Sequence, residues 1–292
     1  MAKDLYDSSA EVRRLYDVAA QEMSVDLARL SFEGPAETLK RTRFTQPAIL
    51  LHSLAVLKIL GDDLPDFDFA AGHSLGEYGA LAVTGALSFE DAIKAVVTRA
   101  ALMEDACVKN PGTMAATMGL TPEQVQKVCD EAAPAGIVVP ANYNSEGQIV
   151  VSGEIAAVER AAELAKTAGA KRAIRLEVGG AFHSPLMAPA RDALEDYLRN
   201  IKINRPSRPV IANVTAEPVT EPEQIRALLV RQVTSPVRWA QTMAYLAHAG
   251  VTRIYEIGPG KVLTGLAKRE MRPQESFNID TLADIAVMVP AR

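Results

Sequence analysis

The chain has 292 residues, 48% hydrophobic and 23% charged, with a net charge of −5. This is the balance of a globular protein with one large or two smaller domains, and it gives no reason to expect nucleic-acid binding. Two cysteines, no apolar run near the roughly 20 residues of a membrane span and a polar start (Met1-Ala2-Lys3-Asp4) exclude a disulfide framework and a zinc site, and predict a soluble cytoplasmic protein without a membrane segment or signal peptide.

In chain order, Ser8 and Glu11 have the spacing of a capping box, and Val12, Leu15, Tyr16 and Ala19 predict an amphipathic helix over 9–22. Thr45-Gln46-Pro47 opens a second helix that Gly61 stops, and apolar residues on nearly every face predict deep burial. His52 within it reads as a core or rim residue. Residues 66–71 read as a short strand. A helix capped by Ser88 runs to about Cys107, with Arg99 at the edge of its apolar stripe. An arginine there either snorkels to water or turns inward to an anion, and the pattern alone favours snorkelling. Cys107 and Cys129 are expected to be small buried hydrophobes.

From Gly112 the pattern changes to strand 113–120, helix 122–133, strand 136–141, strand 148–153, helix 155–168 and strand 173–178. Two β-α-β halves of this size predict an inserted ferredoxin-like subdomain over 112–179. Residues 1–111 and 180–292 then form one α/β core. Its second half is expected to contain helix 191–201, strand 210–214, helices 223–232 and 239–249, strand 253–257 and helix 261–269. Gly258-Pro259-Gly260 reads as a tight turn, because the phosphate-loop pattern is incomplete. Little is legible beyond Pro273.

The chemistry centres on Gly72-His73-Ser74-Leu75-Gly76, the Gly-x-Ser-x-Gly spacing of a nucleophile elbow between a strand and a helix. Glycines tolerate the strained turn, Ser74 stands above the strand, and the Leu75 N–H points from the helix start at the group under attack. A serine needs a base. Of four histidines, His73 is expected to point away from the Ser74 side chain, and His52 and His248 lie in apolar helices. His183, in a loop between Gly179-Gly180 and Pro185, is the favoured base by elimination. No orienting carboxylate stands out, so an Asp elsewhere or a backbone carbonyl is left to fill that role.

Read together and in order, several segments identify a family. They are Thr45-Gln46-Pro47-Ala48, Gly72-His73-Ser74-Leu75-Gly76-Glu77, Arg99, Gly112-Thr113-Met114-Ala115, Ala141-Asn142-Tyr143-Asn144-Ser145, Ala181-Phe182-His183, residues 232–239 and Gly258-Pro259-Gly260-Lys261-Val262-Leu263. Over almost its whole length the chain resembles the malonyl-CoA:acyl carrier protein transacylases. The resemblance implies an α/β hydrolase-like core with a mainly parallel sheet, and the active site in the cleft beside the inserted subdomain. It implies malonyl-CoA as donor, phosphopantetheine carried by an acyl carrier protein as acceptor, no bound cofactor or metal, and a monomer. Ser74 is then the nucleophile, His183 the base, the Gln232 carbonyl its orienter and the Leu75 N–H an oxyanion donor. Arg99 turns inward to the malonyl carboxylate. Gln46, His73, Asn142 and Asn144 belong to the substrate cleft, and Phe182 with Leu75 matches malonyl over methylmalonyl selection. Lys171, Arg172 and Arg175 are candidate docking residues for the acidic carrier protein.

The resemblance also implies a strand and a Gly-Gln-Gly-Ser-Gln motif before the segment at Met1, and with them the second oxyanion N–H. Loss of one such donor typically costs about 10²–10³-fold in turnover. Two alternatives stand beside the transferase: a serine hydrolase or thioesterase of related fold, and a truncated, inactive carrier-protein-binding module.

Overall fold

The computed structural model describes residues 1–289. The chain opens with helices α1 (Lys3–Ser8), α2 (Ala10–Met23), α3 (Leu27–Glu33) and α4 (Ala36–Leu39). The cap of α2 is Ser9, one residue beyond the expected Ser8, and its hydroxyl accepts the Val12 N–H at 3.3 Å. α5 (Thr42–Leu60) begins before Thr45, so Pro47 lies inside the helix and not in its first turn. By length and composition α5 could cross a membrane. Here Leu50, Leu51, Leu54, Ala55 and Val56 are each at most 1% exposed, and the helix packs against α2 and α7 (Phe89–Lys109). Ser88 caps α7 as expected.

The core sheet is built from very short strands. Of the expected 66–71 only β1 (Ala70–Ala71) pairs, and it leads through the elbow into α6 (Gly76–Val83). β6 (Val210–Ile211) runs parallel to β1, and β7 (Pro218–Val219) closes that sheet antiparallel to β6. Between β1 and β6 the chain makes β2 (Thr113–Met118), α8 (Pro122–Ala132), β3 (Val138–Ser145), β4 (Gln148–Gly153), α9 (Ile155–Thr167), β5 (Arg172–Arg175) and α10 (Ala188–Leu198). After β7 come α11 (Pro222–Gln232), α12 (Trp239–His248), β8 (Arg253–Ile257), α13 (Val262–Glu270), β9 (Glu275–Ile279) and α14 (Leu282–Met288). β8 and β9 pair in parallel. The sequence reading missed β9 and α14, as it missed α1, α3 and α4.

The inserted sheet has the order β3-β4-β2-β5 with antiparallel pairings, the ferredoxin-like order, and its strand alternation explains its two faces. Ala115, Ile149 and Val151 point to α8 and α9 and share their core with Val125 and Val158. Met114, Ala116 and Val150 point the other way and form a small apolar cluster with Leu176 and Phe182. β3 is tied to the core where the Tyr143 N–H donates to the Val237 carbonyl and the Val237 N–H to the Ala141 carbonyl, each at 2.9 Å. Cys129 belongs to the α8 core, whereas Cys107 is only partly covered.

Leu54→Ala removes a side chain with no exposed surface from the helix that supports the elbow. Urea unfolding should show a loss of about 2–5 kcal/mol; a loss below about 1 kcal/mol would contradict the close packing of α5.

Candidate active site

β1 and β6 pair in register as Ala70↔Val210 and Ala71↔Ile211, so their carboxyl ends deliver Gly72 and Asn213 side by side. Ser74 sits between them with φ +52°, a left-handed conformation unusual for a residue with a β-carbon. Gly72 is required by space: a β-carbon there would lie 2.0 Å from the Gly76 carbonyl carbon and oxygen. Gly76 is different, since nothing lies near its missing β-carbon. The Ser74 N–H donates to Asn213 Oδ1 at 2.7 Å. Among the described residues, the Leu75 N–H at the start of α6 has no acceptor and is free for an incoming oxyanion.

His183, also at positive φ (+58°), reaches the elbow from the loop after the inserted sheet. Its Nε2 lies 2.8 Å from Ser74 Oγ, and its Nδ1 lies 2.9 Å from the Gln232 carbonyl at the end of α11. A carbonyl can only accept, so Nδ1 carries the proton and Nε2 presents a lone pair to the serine hydroxyl. The question of the orienting group is thus answered by a backbone carbonyl. Burial, and then the positive charge of Arg99, push the His183 pKa down to about 3, which keeps the ring neutral and able to accept. The other histidines are engaged elsewhere or exposed. His73 turns to Asn144 Oδ1 at 2.9 Å and packs near Trp239, His52 is bonded to Asp280, and His248 is exposed.

Arg99 overturns the snorkelling reading of its helix: it is 1% exposed and faces inward. One Nη1–H donates to Gln46 Oε1 at 2.5 Å, and Nη2 donates to Ser74 Oγ at 3.0 Å and Gln232 Oε1 at 3.1 Å. Its Nε has no partner among the described residues. A buried guanidinium with a free Nε–H has the planar donor geometry that can pair with a carboxylate.

Above these residues lies a cleft of about 260 Å³. The core supplies Ser74, Gln46 and Met103, and the inserted sheet supplies Met114, Asn142, Asn144 and Val150. Phe182 and His183 also line it. Asn142 Oδ1 is buried without a partner among the described residues. Lys171 and Arg172 are exposed at the edge strand β5, while Arg175 is engaged by Thr113 and Glu159 at 3.2 and 3.3 Å. At Gly258-Pro259-Gly260 the start of α13 is filled by the chain's own Glu256, whose carboxylate accepts the Leu263 and Thr264 N–H groups, so the turn is structural. No cluster of metal-ligating side chains occurs among the described residues.

Sequence reasoning missed Asn213 and gave Glu77 no role. Glu77 is 3% exposed, and burial lifts its pKa to about 7. The available signal was Glu77 directly after the elbow motif, in the first turn of α6, and Asn213, a polar residue just after the apolar Val210-Ile211-Ala212.

The acyl transferase domain family matches residues 1–285 of the chain. The malonyl CoA-acyl carrier protein transacylase of Bacillus subtilis (strain 168) is 46% identical over 273 residues, 93% of this chain and 86% of the relative. A crystal structure of an acyl carrier protein S-malonyltransferase from Vibrio cholerae superposes with a TM-score of 0.92 at 41% identity, covering 98% of this chain and 94% of the other. A type II PKS acyl-carrier protein in complex with its malonyl-transacylase includes a chain with a TM-score of 0.93 at 39% identity, covering 99% of this chain and 94% of the other.

Because His183 is held neutral, it contributes no acid limb to Ser74 acylation in the ordinary histidine range. Glu77, which accepts a hydrogen bond from Gln232 Nε2, has a shifted pKa that does fall near neutrality. The Glu77→Gln variant should therefore show an acylation rate that is flat from about pH 5 to 8. A limb centred near 6.5 in that variant would assign an ordinary pKa to His183 and contradict its desolvation.

Proposed function

The chain belongs to the acyl transferase domain family, and from that premise we propose that it transfers the malonyl group of malonyl-CoA to the phosphopantetheine thiol of an acyl carrier protein, in support of fatty-acid synthesis. The observation that carries this reading is the double approach to Ser74 Oγ, by His183 Nε2 at 2.8 Å and Arg99 Nη2 at 3.0 Å. A hydrolase needs the first contact; selection of a dicarboxylic acyl group uses the second.

In the first half-reaction His183 Nε2 takes the Ser74 proton as Oγ bonds to the thioester carbonyl carbon. The negative charge moves to the carbonyl oxygen, where the Leu75 N–H donates to it. The electron pair then returns, the carbon–sulfur bond breaks, and the departing sulfur takes the proton from the imidazolium. CoA leaves and malonyl-Ser74 remains. In the second half the phosphopantetheine thiol gives its proton to Nε2 and attacks the ester. The carbon–oxygen bond breaks, and Ser74 recovers its proton from His183. The Gln232 carbonyl holds the ring through both steps.

The free carboxylate of the malonyl group is read by Arg99, with Gln46 fixing one of its nitrogens. Phe182 occupies the space that a methyl branch on the acyl group would need. His73, Asn142 and Asn144 shape the cleft wall. Lys171 and Arg172 offer exposed positive charge to an acidic carrier protein, with Arg175 behind them, and the enzyme acts as a cytoplasmic monomer without a bound cofactor.

Incubation with labelled malonyl-CoA should place label on Ser74, and holo carrier protein should remove it; no label on Ser74 would sink the transferase reading. Arg99→Ala should slow malonyl loading by about 100-fold and acetyl loading by less than about tenfold, on the scale of a lost buried charge contact. Equal losses would contradict the carboxylate role. Reversing Lys171 and Arg172 to glutamate should raise the KM for carrier protein about tenfold at low salt, fading as ionic strength rises. A KM that does not respond would place docking elsewhere.

A further inference from the structure

The acyl-transfer steps leave two buried polar side chains beneath the elbow unused. Asn213 is 1% exposed and Glu77 3%. The Asn213 carboxamide meets the elbow at both ends: Oδ1 accepts the Ser74 N–H at 2.7 Å, and Nδ2 donates to the Gly72 carbonyl at 2.7 Å. Its orientation is forced, since an N–H can only donate and a carbonyl can only accept. Glu77 Oε2 accepts the Asn213 N–H at 3.2 Å and Gln232 Nε2 at 2.7 Å. Gln232 Nε2 also donates to the Ser74 carbonyl at 3.0 Å, and the Gln232 backbone carbonyl aims His183. We propose that Asn213 and Glu77 are positioning residues: Asn213 locks the strained nucleophile turn at both ends, and Glu77 couples that lock to the segment that orients the base.

The reason for such a brace is geometric. Ser74 and His183 stand 109 residues apart in sequence and arrive on separate loops, each at positive φ. Small displacements of reacting groups cost rate steeply. The Asn213–Glu77–Gln232 chain touches both loops through short hydrogen bonds and does not line the cleft, so its effect is on alignment and not on substrate contact. This inference deepens the acyl-transfer reading and rests on it only in taking Ser74 as the nucleophile.

Two reactions of Ser74 separate the brace from the substrate assignment: acylation by malonyl-CoA, and inactivation by a fluorophosphonate, which needs only an aligned serine and base. Asn213→Asp is near-isosteric but sets a second acceptor against the Gly72 carbonyl. Glu77→Gln keeps an acceptor, and Glu77→Ala removes it. With near-ultraviolet circular dichroism matching the parent, Asn213→Asp and Glu77→Ala should lose about 30-fold or more in kcat and in the inactivation rate, with KM within about twofold. Glu77→Gln should recover to within about threefold of the parent. Parent-like rates in Asn213→Asp, equal losses in the two Glu77 variants, or a change confined to KM would overturn the proposal. Unfolding of Asn213→Asp would overturn it too, since the role would then be stability alone. Should Glu77→Ala unfold, the two near-isosteric variants decide. A parent that reacts with the fluorophosphonate but takes no malonyl group would refute the acyl-transfer reading, and the brace would still be judged on the inactivation rates.

Discussion

A guanidinium almost wholly removed from water must find its partners inside the protein, because an unpaired buried charge is strongly unfavourable. Arg99 meets that requirement with Gln46, Ser74 and Gln232, and each of these fixes a different part of the site. Gln46 ties it to α5, a largely buried helix of the core. Gln232 ties it to the segment that aims His183. Ser74 places the charge against the reacting oxygen. Burial, and after it the same charge, keep the neighbouring imidazole neutral, so the side chain that faces the serine also helps to keep the base ready to accept a proton.

The parallel pairing of two two-residue strands turns this set of contacts into a site. By starting the elbow and the Asn213 segment from adjacent strand ends, it brings together residues 139 positions apart in sequence. Sites in open α/β sheets lie at the carboxyl ends of strands for this reason: side chains from separate crossovers converge there. The rest of the cleft comes from a sheet of another kind. The inserted antiparallel sheet turns one alternating face to its own helices and the other to the reacting groups.

Much of this was legible in the amino-acid order. The elbow spacing, the isolation of His183 and the β-α-β pairs of the insert each have a local cause that leaves a local pattern. Arg99 did not. Helical periodicity gives the angle of a residue around its axis but not what stands opposite, and opposite Arg99 stand polar groups from α5, α11 and the elbow. β1, β6 and β7 pair over only two residues each, too few for alternation to show. The roles of Asn213 and Glu77 exist only through distant partners, so local patterns alone do not reveal them. The start of α5 was misread because Pro47 usually marks a first turn, and here the helix had already begun at Thr42.

The bridge between Tyr143 and Val237 has a consequence for how such a molecule diversifies. Ser74, Gln46 and Met103 sit on the core side of the cleft, and Met114, Asn142, Asn144 and Val150 sit on the other, on a sheet with its own core. Met114, Asn142 and Val150 lie on separate elements from the turn that holds Ser74 at positive φ. Selectivity can drift from one acyl group to another while the reactive centre is inherited intact.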